Sequence, residues 1–373
     1  MNFDKFDKFT LIKKLGSVNY NLLFTIILIF FIGILALYSA GNGNLNPYAS
    51  RQLIHFFAFI PAIFIIALIN INFWFNTSYL LYFGSLASLI LVEIIGYKSM
   101  GATRWLNLGF MRIQPAEIMQ IGIILGLAKY FQTKDLLEIK KNKTLIIPIL
   151  MILMPVVLIL KQPSLGTALL IIIISSTILF CVGVQIWKFI LCASLILVSS
   201  PVIWKYGIKD YQKQRIMTFV NPSTDPLKSG YNITQSKIAI GSGGLNGKGF
   251  LNGTQGQLEF LPEKHTDFIF TIIAEEFGFF GVFITIVLYM VVFGILIYMV
   301  IKNQNTFGRV IIIGVFTNLF FHFFINIGMI TGILPVVGMP LPLLSYGGSI
   351  TVSTLISIGF ILNADINRGN LIK

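Results

Sequence analysis

Long apolar runs set the first constraint on this chain. Ten of them recur, at 20–40, 53–70, 78–96, 113–131, 145–160, 166–183, 189–204, 268–301, 310–330 and 345–362. A bilayer core of ~30 Å is crossed by about 20 apolar residues in a helix. Within lipid every backbone N–H and C=O must be satisfied inside the segment, so such runs fold as helices. The expected class is therefore an all-α integral membrane protein, a bundle of about ten transmembrane helices. Only 11% of its 373 residues are charged, against roughly 25% in a soluble domain. The first run follows nineteen mostly polar residues without a small-x-small cleavage site, so it reads as a retained helix.

Charge sets the orientation. With a cytoplasmic N-terminus, inner segments gather basic clusters: Lys5, Lys8, Lys13 and Lys14, then Lys134, Lys140, Lys141 and Lys143. Short outer segments hold scattered cations such as Lys98 and Lys161. Both termini are then expected in the cytoplasm, and one large extracytoplasmic loop, 205–266, separates spans seven and eight. Residues 1–373 read as one polytopic membrane domain. The net charge of +13 does not imply nucleic acid, because the basic residues are spread between spans. Cys181 and Cys192 lie in apolar runs and match no metal spacing, and three histidines argue against a His-rich metal centre.

The outer segments carry the candidate chemistry. From Gly241 a Gly-rich loop passes through Glu263-Lys264-His265-Thr266-Asp267 into a long apolar run bearing Glu275 and Glu276. The Gly-rich part is no Walker loop, since Ser242 stands where glycine is needed and Gly249 follows Lys248. It is no dinucleotide fingerprint either, because Asn246 replaces the third glycine. It reads equally as a phosphate cradle or as a mobile loop. Asp267, Thr271 and Glu275 fall at i, i+4 and i+8, one polar edge of a helix about 51 Å long. Asp267 is expected at a wet mouth, either as a helix cap or as a general base.

Other segments converge on the same side. Residues 208–219 alternate as an interfacial helix lying on the membrane, and Asn221–Pro226 as a turn. Arg104 and Arg112 flank Trp105 in the segment joining spans three and four. They read as interface anchors or as a clamp for pyrophosphate, which arginine binds bidentately. Pro115 fits a first helical turn, putting Glu117 near a helix N-terminus. The run 331–349, with Pro335, Pro340 and Pro342, cannot be a straight helix at membrane depth and reads as re-entrant backbone or a structural cap.

These segments carry a resemblance. GSGGLNGKGFLNGTQGQLEFLPEKHTDFIFTIIAEEFGFFG, GATRWLNLGFMRIQPAEI, QPSLGT and ILPVVGMPLPLLSYGGS resemble the SEDS (shape, elongation, division and sporulation) family, in its RodA branch. The resemblance spans nearly the whole chain and implies a peptidoglycan glycosyltransferase. Such an enzyme polymerises lipid II at the outer face of the bacterial plasma (inner) membrane, for cell-wall growth and cell shape. It implies a class B penicillin-binding protein as partner, alongside other membrane proteins of the elongation machinery, and no nucleic acid. The family's essential aspartate matches Asp267, and Arg104 and Trp105 match positions tied to function. The cations proposed for the departing pyrophosphate are Arg51, Arg104, Arg112, Arg215, Lys248 and Lys264. Gln114, Glu117, Glu275, Glu276, Ser345 and Tyr346 would support the cavity. No ligand cluster specifies a metal, and a divalent cation, magnesium or manganese, stays open as an aid. The chain departs from the family at Gln120, where a lysine is usual, and at Ser164, where an aspartate is. Alternative readings are a flippase for the lipid-linked precursor and a scaffold without chemistry.

Overall fold

The computed structural model describes residues 13–99, 102–107, 109, 112–207, 210–220, 229–258 and 260–369. Lys5, Lys8, the start of the 208–219 segment and the Asn221–Pro226 turn lie outside them. Each of the ten apolar runs has its helix: α1 (Tyr20–Ala40), α2 (Tyr48–Leu68), α3 (Ile71–Ile95), α4 (Pro115–Gln132), α5 (Asn142–Lys161), α6 (Leu165–Cys181), α7 (Ile186–Val202), α10 (Ile269–Lys302), α11 (Thr306–Thr331) and α12 (Gly348–Ile366). Between α7 and α10 lie α8 (Asp210–Val220) and α9 (Ser229–Gly243). Among the described residues, seven helices are long and apolar enough to cross a membrane, with α6 and α7 as shorter apolar helices.

The burial of each helix explains its composition. α4, which carries Glu117, Gln120 and Lys129, is buried on nearly every side, packed between α3, α11 and α6. Polar groups at membrane depth are tolerated when they face protein or a wet cavity. α12 is likewise enclosed, against α2 and α11. α7 is the opposite case: no residue of it is buried, and Ile190, Leu195, Leu197 and Val198 are exposed, a composition suited to acyl chains.

Two segments fold differently from the sequence reading. The 101–113 stretch contains strands β2 (Ala102–Asn107) and β3 (Arg112–Ile113), which with β1 (Tyr97–Ser99) form an antiparallel sheet ordered β1-β2-β3. And α10 is broken, because Gly278 has φ 61° and ψ −153°, which no right-handed helix contains. The single 51 Å rod is therefore corrected to a short half, Ile269–Phe277, and a long spanning half.

The 205–266 segment is largely structured. α9 packs on α10 and α11. α8 is helical as its pattern suggests. Gln212 and Thr218 are buried, and Gln212, Arg215 and Ile216 line an internal cavity. Gln212 and Arg215 from its polar face and Ile216 from its apolar one thus border the same cavity.

Candidate functional site

The backbone before α10 is held one carbonyl at a time. The Tyr346 N–H donates to His265 O at 2.9 Å. Ser345 Oγ donates to Thr266 O at 2.6 Å and accepts from Leu341 N at 2.7 Å. Asn326 Nδ2 donates to Asp267 O at 2.9 Å and to Met339 O at 2.8 Å. The run 332–347 supplies most of these partners. It is irregular, as its prolines require, and Gln52, fully buried, holds it by donating to Ser345 O and accepting from Gly347 N. Free backbone at this depth is thus satisfied by protein, the condition for a re-entrant segment.

Asp267 consequently faces a cavity of about 1300 Å³. Arg51, Arg104, Arg112 and Arg215 line it, with Trp105, Gln114, Glu117 and Tyr346. Burial pushes the Asp267 carboxyl up to about 7, Glu263 adds to the rise, and Arg215 opposes it. Low-dielectric surroundings disfavour the ionised form, and a neighbouring carboxylate does the same. Burial also lowers His265, which Glu263 opposes and Lys264 reinforces. Tyr48 stacks on the His265 ring with centroids 4.1 Å apart, and Tyr346 meets Tyr48 edge-on at 5.2 Å. A Cβ built on Gly338 would stand 3.3 Å from Asp267 Oδ2, so this glycine, with φ 73°, keeps the space before the carboxylate open.

The four arginines are not equivalent. Arg104, on β2, donates to the carbonyls of Gln162 and Pro163 and so ties the sheet to the turn before α6. Arg51, Arg112 and Arg215 are exposed in the cavity. Glu117 accepts from Ser349 Oγ, which itself accepts from Gln114 N at 3.0 Å. Ser164 and Gln120 also line the cavity. Thr167 Oγ1 donates to Ser164 Oγ at 2.6 Å, whereas Gln120 Nε2 is buried without a partner.

Lys248, Lys264, Glu275 and Glu276 do not line this cavity. Lys248 Nζ pairs with Glu275 Oε1 at 2.7 Å. Lys264 is buried and donates to Gly256 O at 2.7 Å and Asn42 Oδ1 at 3.3 Å. Glu276 accepts from Ser39 Oγ. The expected polar edge fails because Asp267 sits in a turn before α10, so helical spacing cannot be counted from it. Ser345 acts on the site through the Thr266 carbonyl and does not line the cavity.

The Gly-rich loop is neither cradle nor free loop. Lys248 N and Gly249 N donate to Glu275 O and Glu276 O, each at 3.0 Å, while Phe279 N and Phe280 N donate to Gly244 O and Leu245 O at 2.9 and 3.3 Å. The loop thereby satisfies the groups freed where α10 breaks.

Sequence reading missed Gln52, His322 and Asn326. His322 lines the cavity, and its Nδ1 lies 3.2 Å from Pro340 O. The available signal was a polar pair at i, i+4 inside an apolar helix. Among the described residues no three of His, Cys, Asp and Glu converge to hold a metal ion.

The chain is similar to known proteins over most of its length. A family model described as FTSW_RODA_SPOVE, cell cycle protein, matches residues 18–370. "Peptidoglycan glycosyltransferase MrdB" of Escherichia coli K12 is 44% identical over 294 residues, 79% of each chain. "Probable peptidoglycan glycosyltransferase FtsW" of Buchnera aphidicola subsp. Schizaphis graminum is 37% identical, covering 85% of this chain and 90% of its own. A chain of a solved peptidoglycan synthase complex that coordinates polymerization and crosslinking superposes with TM-score 0.83 at 30% identity, over 94% of this chain and 98% of that one. The rod shape determining protein RodA of Thermus thermophilus gives TM-score 0.72 at 27% identity, over 95% and 98%.

Proposed function

Because this chain belongs to the FTSW_RODA_SPOVE family of cell cycle proteins, we propose that it works as a peptidoglycan glycosyltransferase with Asp267 as its base. It is a multi-pass membrane protein. Lipid II is the substrate, taken at the outer face of the bacterial plasma membrane with both chain termini in the cytoplasm. ATP is absent there, so the donor brings its own leaving group, a lipid-linked pyrophosphate. The 4-hydroxyl of N-acetylglucosamine on the acceptor attacks the donor's anomeric carbon. The new C–O bond forms as the bond to pyrophosphate breaks, and pyrophosphate departs with the electron pair. Asp267 takes the hydroxyl proton.

One observation carries this reading. A carboxyl raised to about 7 shares a cavity with four arginines. A base poised near the working pH combines the right protonation state with useful proton affinity. Arg51, Arg112 and Arg215 meet phosphate oxygens, and Arg104 holds the cavity wall while turning part of its fork to carbonyls. Asp267 and Glu263 would offer carboxylate oxygens to a magnesium or manganese ion in this cavity, which would help steady the departing pyrophosphate. A class B penicillin-binding protein cross-links the product, as a partner within the elongation machinery.

The test uses purified protein, its transpeptidase partner and lipid II. Polymer forms with the natural chain, and Asp267→Ala makes none while keeping its unfolding temperature. Full polymerisation by that variant removes the base assignment. Translocation of chemically unchanged lipid II in proteoliposomes would instead indicate a flippase.

A further inference from the structure

Asn326 lies within α11 and is fully buried. Both partners of its amide nitrogen are carbonyl oxygens, Asp267 O at 2.9 Å and Met339 O at 2.8 Å. Two acceptors fix the orientation of the amide, with nitrogen toward them and oxygen away. Oδ1 is then buried without a partner. An unpaired acceptor is unfavourable in a packed interior, so a side chain chosen for packing alone would be apolar. One turn earlier, His322 holds the next carbonyl, Pro340 O. Positions 322 and 326 share a helix face, so one face of α11 grips two successive carbonyls of the re-entrant run. Only one of its two grips, that of Asn326, also takes the main chain of Asp267.

The wall opposite the carboxylate is part of the same run. Gly338 precedes Met339, and its Cβ position stands 3.3 Å from Asp267 Oδ2. The Asn326 amide therefore joins the main chain of Asp267 itself to the backbone it faces, beside the ties that Ser345 and Tyr346 make to Thr266 and His265. We propose that Asn326 is a positioning residue for proton transfer, holding Asp267 against the Gly338 backbone so that its carboxyl stays aimed into the cavity where an acceptor sugar hydroxyl binds. The inference rests on Asp267 being the base. Without the clamp the carboxyl swings toward water and loses the burial that raises it.

The experiment measures steady-state polymerisation of lipid II by the full-length protein with its transpeptidase partner, from pH 5 to 9. Asn326→Ala should lower kcat by about tenfold or more, since a misplacement near 1 Å already has effects of that size. KM for lipid II should stay within about twofold, as for an interaction made only in the transition state. The acid limb of the pH profile should move below 7, toward the ordinary carboxylate range. Asn326→Ser, which retains one donor, should fall between, and it carries the same readouts if the alanine variant does not fold. In an Asp267→Asn background, Asn326→Ala should add no further loss. An acid limb that stays near 7, or a loss confined to folded yield with kcat intact, overturns the proposal. If Asp267→Asn alone polymerises normally, the base assignment fails first, and that failure is read from the single variant.

Discussion

Lys248 and Glu275 are joined across 2.7 Å although 27 residues separate them in sequence. Glu275 also accepts from Gln255 N at 3.0 Å and Gly256 N at 3.3 Å, so one carboxylate gathers the Gly-rich loop onto the short half of α10. Its side chain is 1% exposed, against 26% for Lys248. Removing the lysine strands a buried charge, whereas removing both charges does not. Lys248→Met should lower stability by on the order of 3 kcal/mol, the low end for a broken buried pair because the lysine is partly solvated. Lys248→Met with Glu275→Gln should recover most of that loss. Thermal unfolding in detergent checks both, and equal destabilisation of the single and double variants would deny the pair its structural role.

The break in α10 yields a second prediction. Gly278 has φ 61°, and a Cβ there would approach Gly247 N to 2.3 Å. Gly278→Ala should be strongly destabilising, by about 2 kcal/mol or more, from left-handed strain together with the clash. Gly294, on the same helix, has nothing within 4 Å of its Cβ position. Gly294→Ala should be neutral or stabilising by about 0.5–1 kcal/mol. Parallel melts of the two variants test whether Gly278 is needed for the break itself.

The spans were legible because a bilayer demands about twenty apolar residues whatever the tertiary structure. The break at Gly278 was not. Glu275-Glu276-Phe277-Gly278-Phe279 reads as continuous helix, and only the loop 244–249 packed against it shows that the chain turns there. The same packing explains why Lys248 looked free for phosphate: its partner lies in a different segment. Asp267 was found through its place between cations and hydrocarbon and through the resemblance of its surroundings, but its helical register with Glu275 was misjudged, since a turn and a first helical residue look alike in sequence. Asn326 and His322 are polar groups in an apolar helix, yet the carbonyls they hold belong to Asp267, Met339 and Pro340, far from α11's own turns, and no local pattern names them.

The electrostatics of Asp267 give a third prediction. A base must be ionised, so polymerisation should rise with pH through about 7. Glu263 raises that carboxyl and Arg215 lowers it. Glu263→Gln should therefore move the acid limb of kcat/KM to lower pH, and Arg215→Gln should move it to higher pH. Arg215→Gln should also raise KM for lipid II if this arginine meets pyrophosphate. Limb shifts in the opposite directions would contradict the assignment of the limb to Asp267.

The same carboxyl couples stability to pH. Its folded value is about 7, raised from the ordinary 3.8 by burial. Between those values the folded chain keeps a proton that the unfolded chain has released. The folded state thus binds more protons, and stability falls as pH rises through this window. The full penalty of ionising Asp267 in place is present above 7 and absent below 3.8. Asn carries the shape of the neutral acid and never ionises, so Asp267→Asn should melt higher than the natural chain at pH 8 and about equally at pH 4. That ordering separates a site held in a raised-pKa environment for chemistry from a helix cap, for which loss of the charge would destabilise at pH 8. Melting curves at the two pH values decide between them, and a variant less stable at pH 8 would mean that the charge of Asp267 supports the fold.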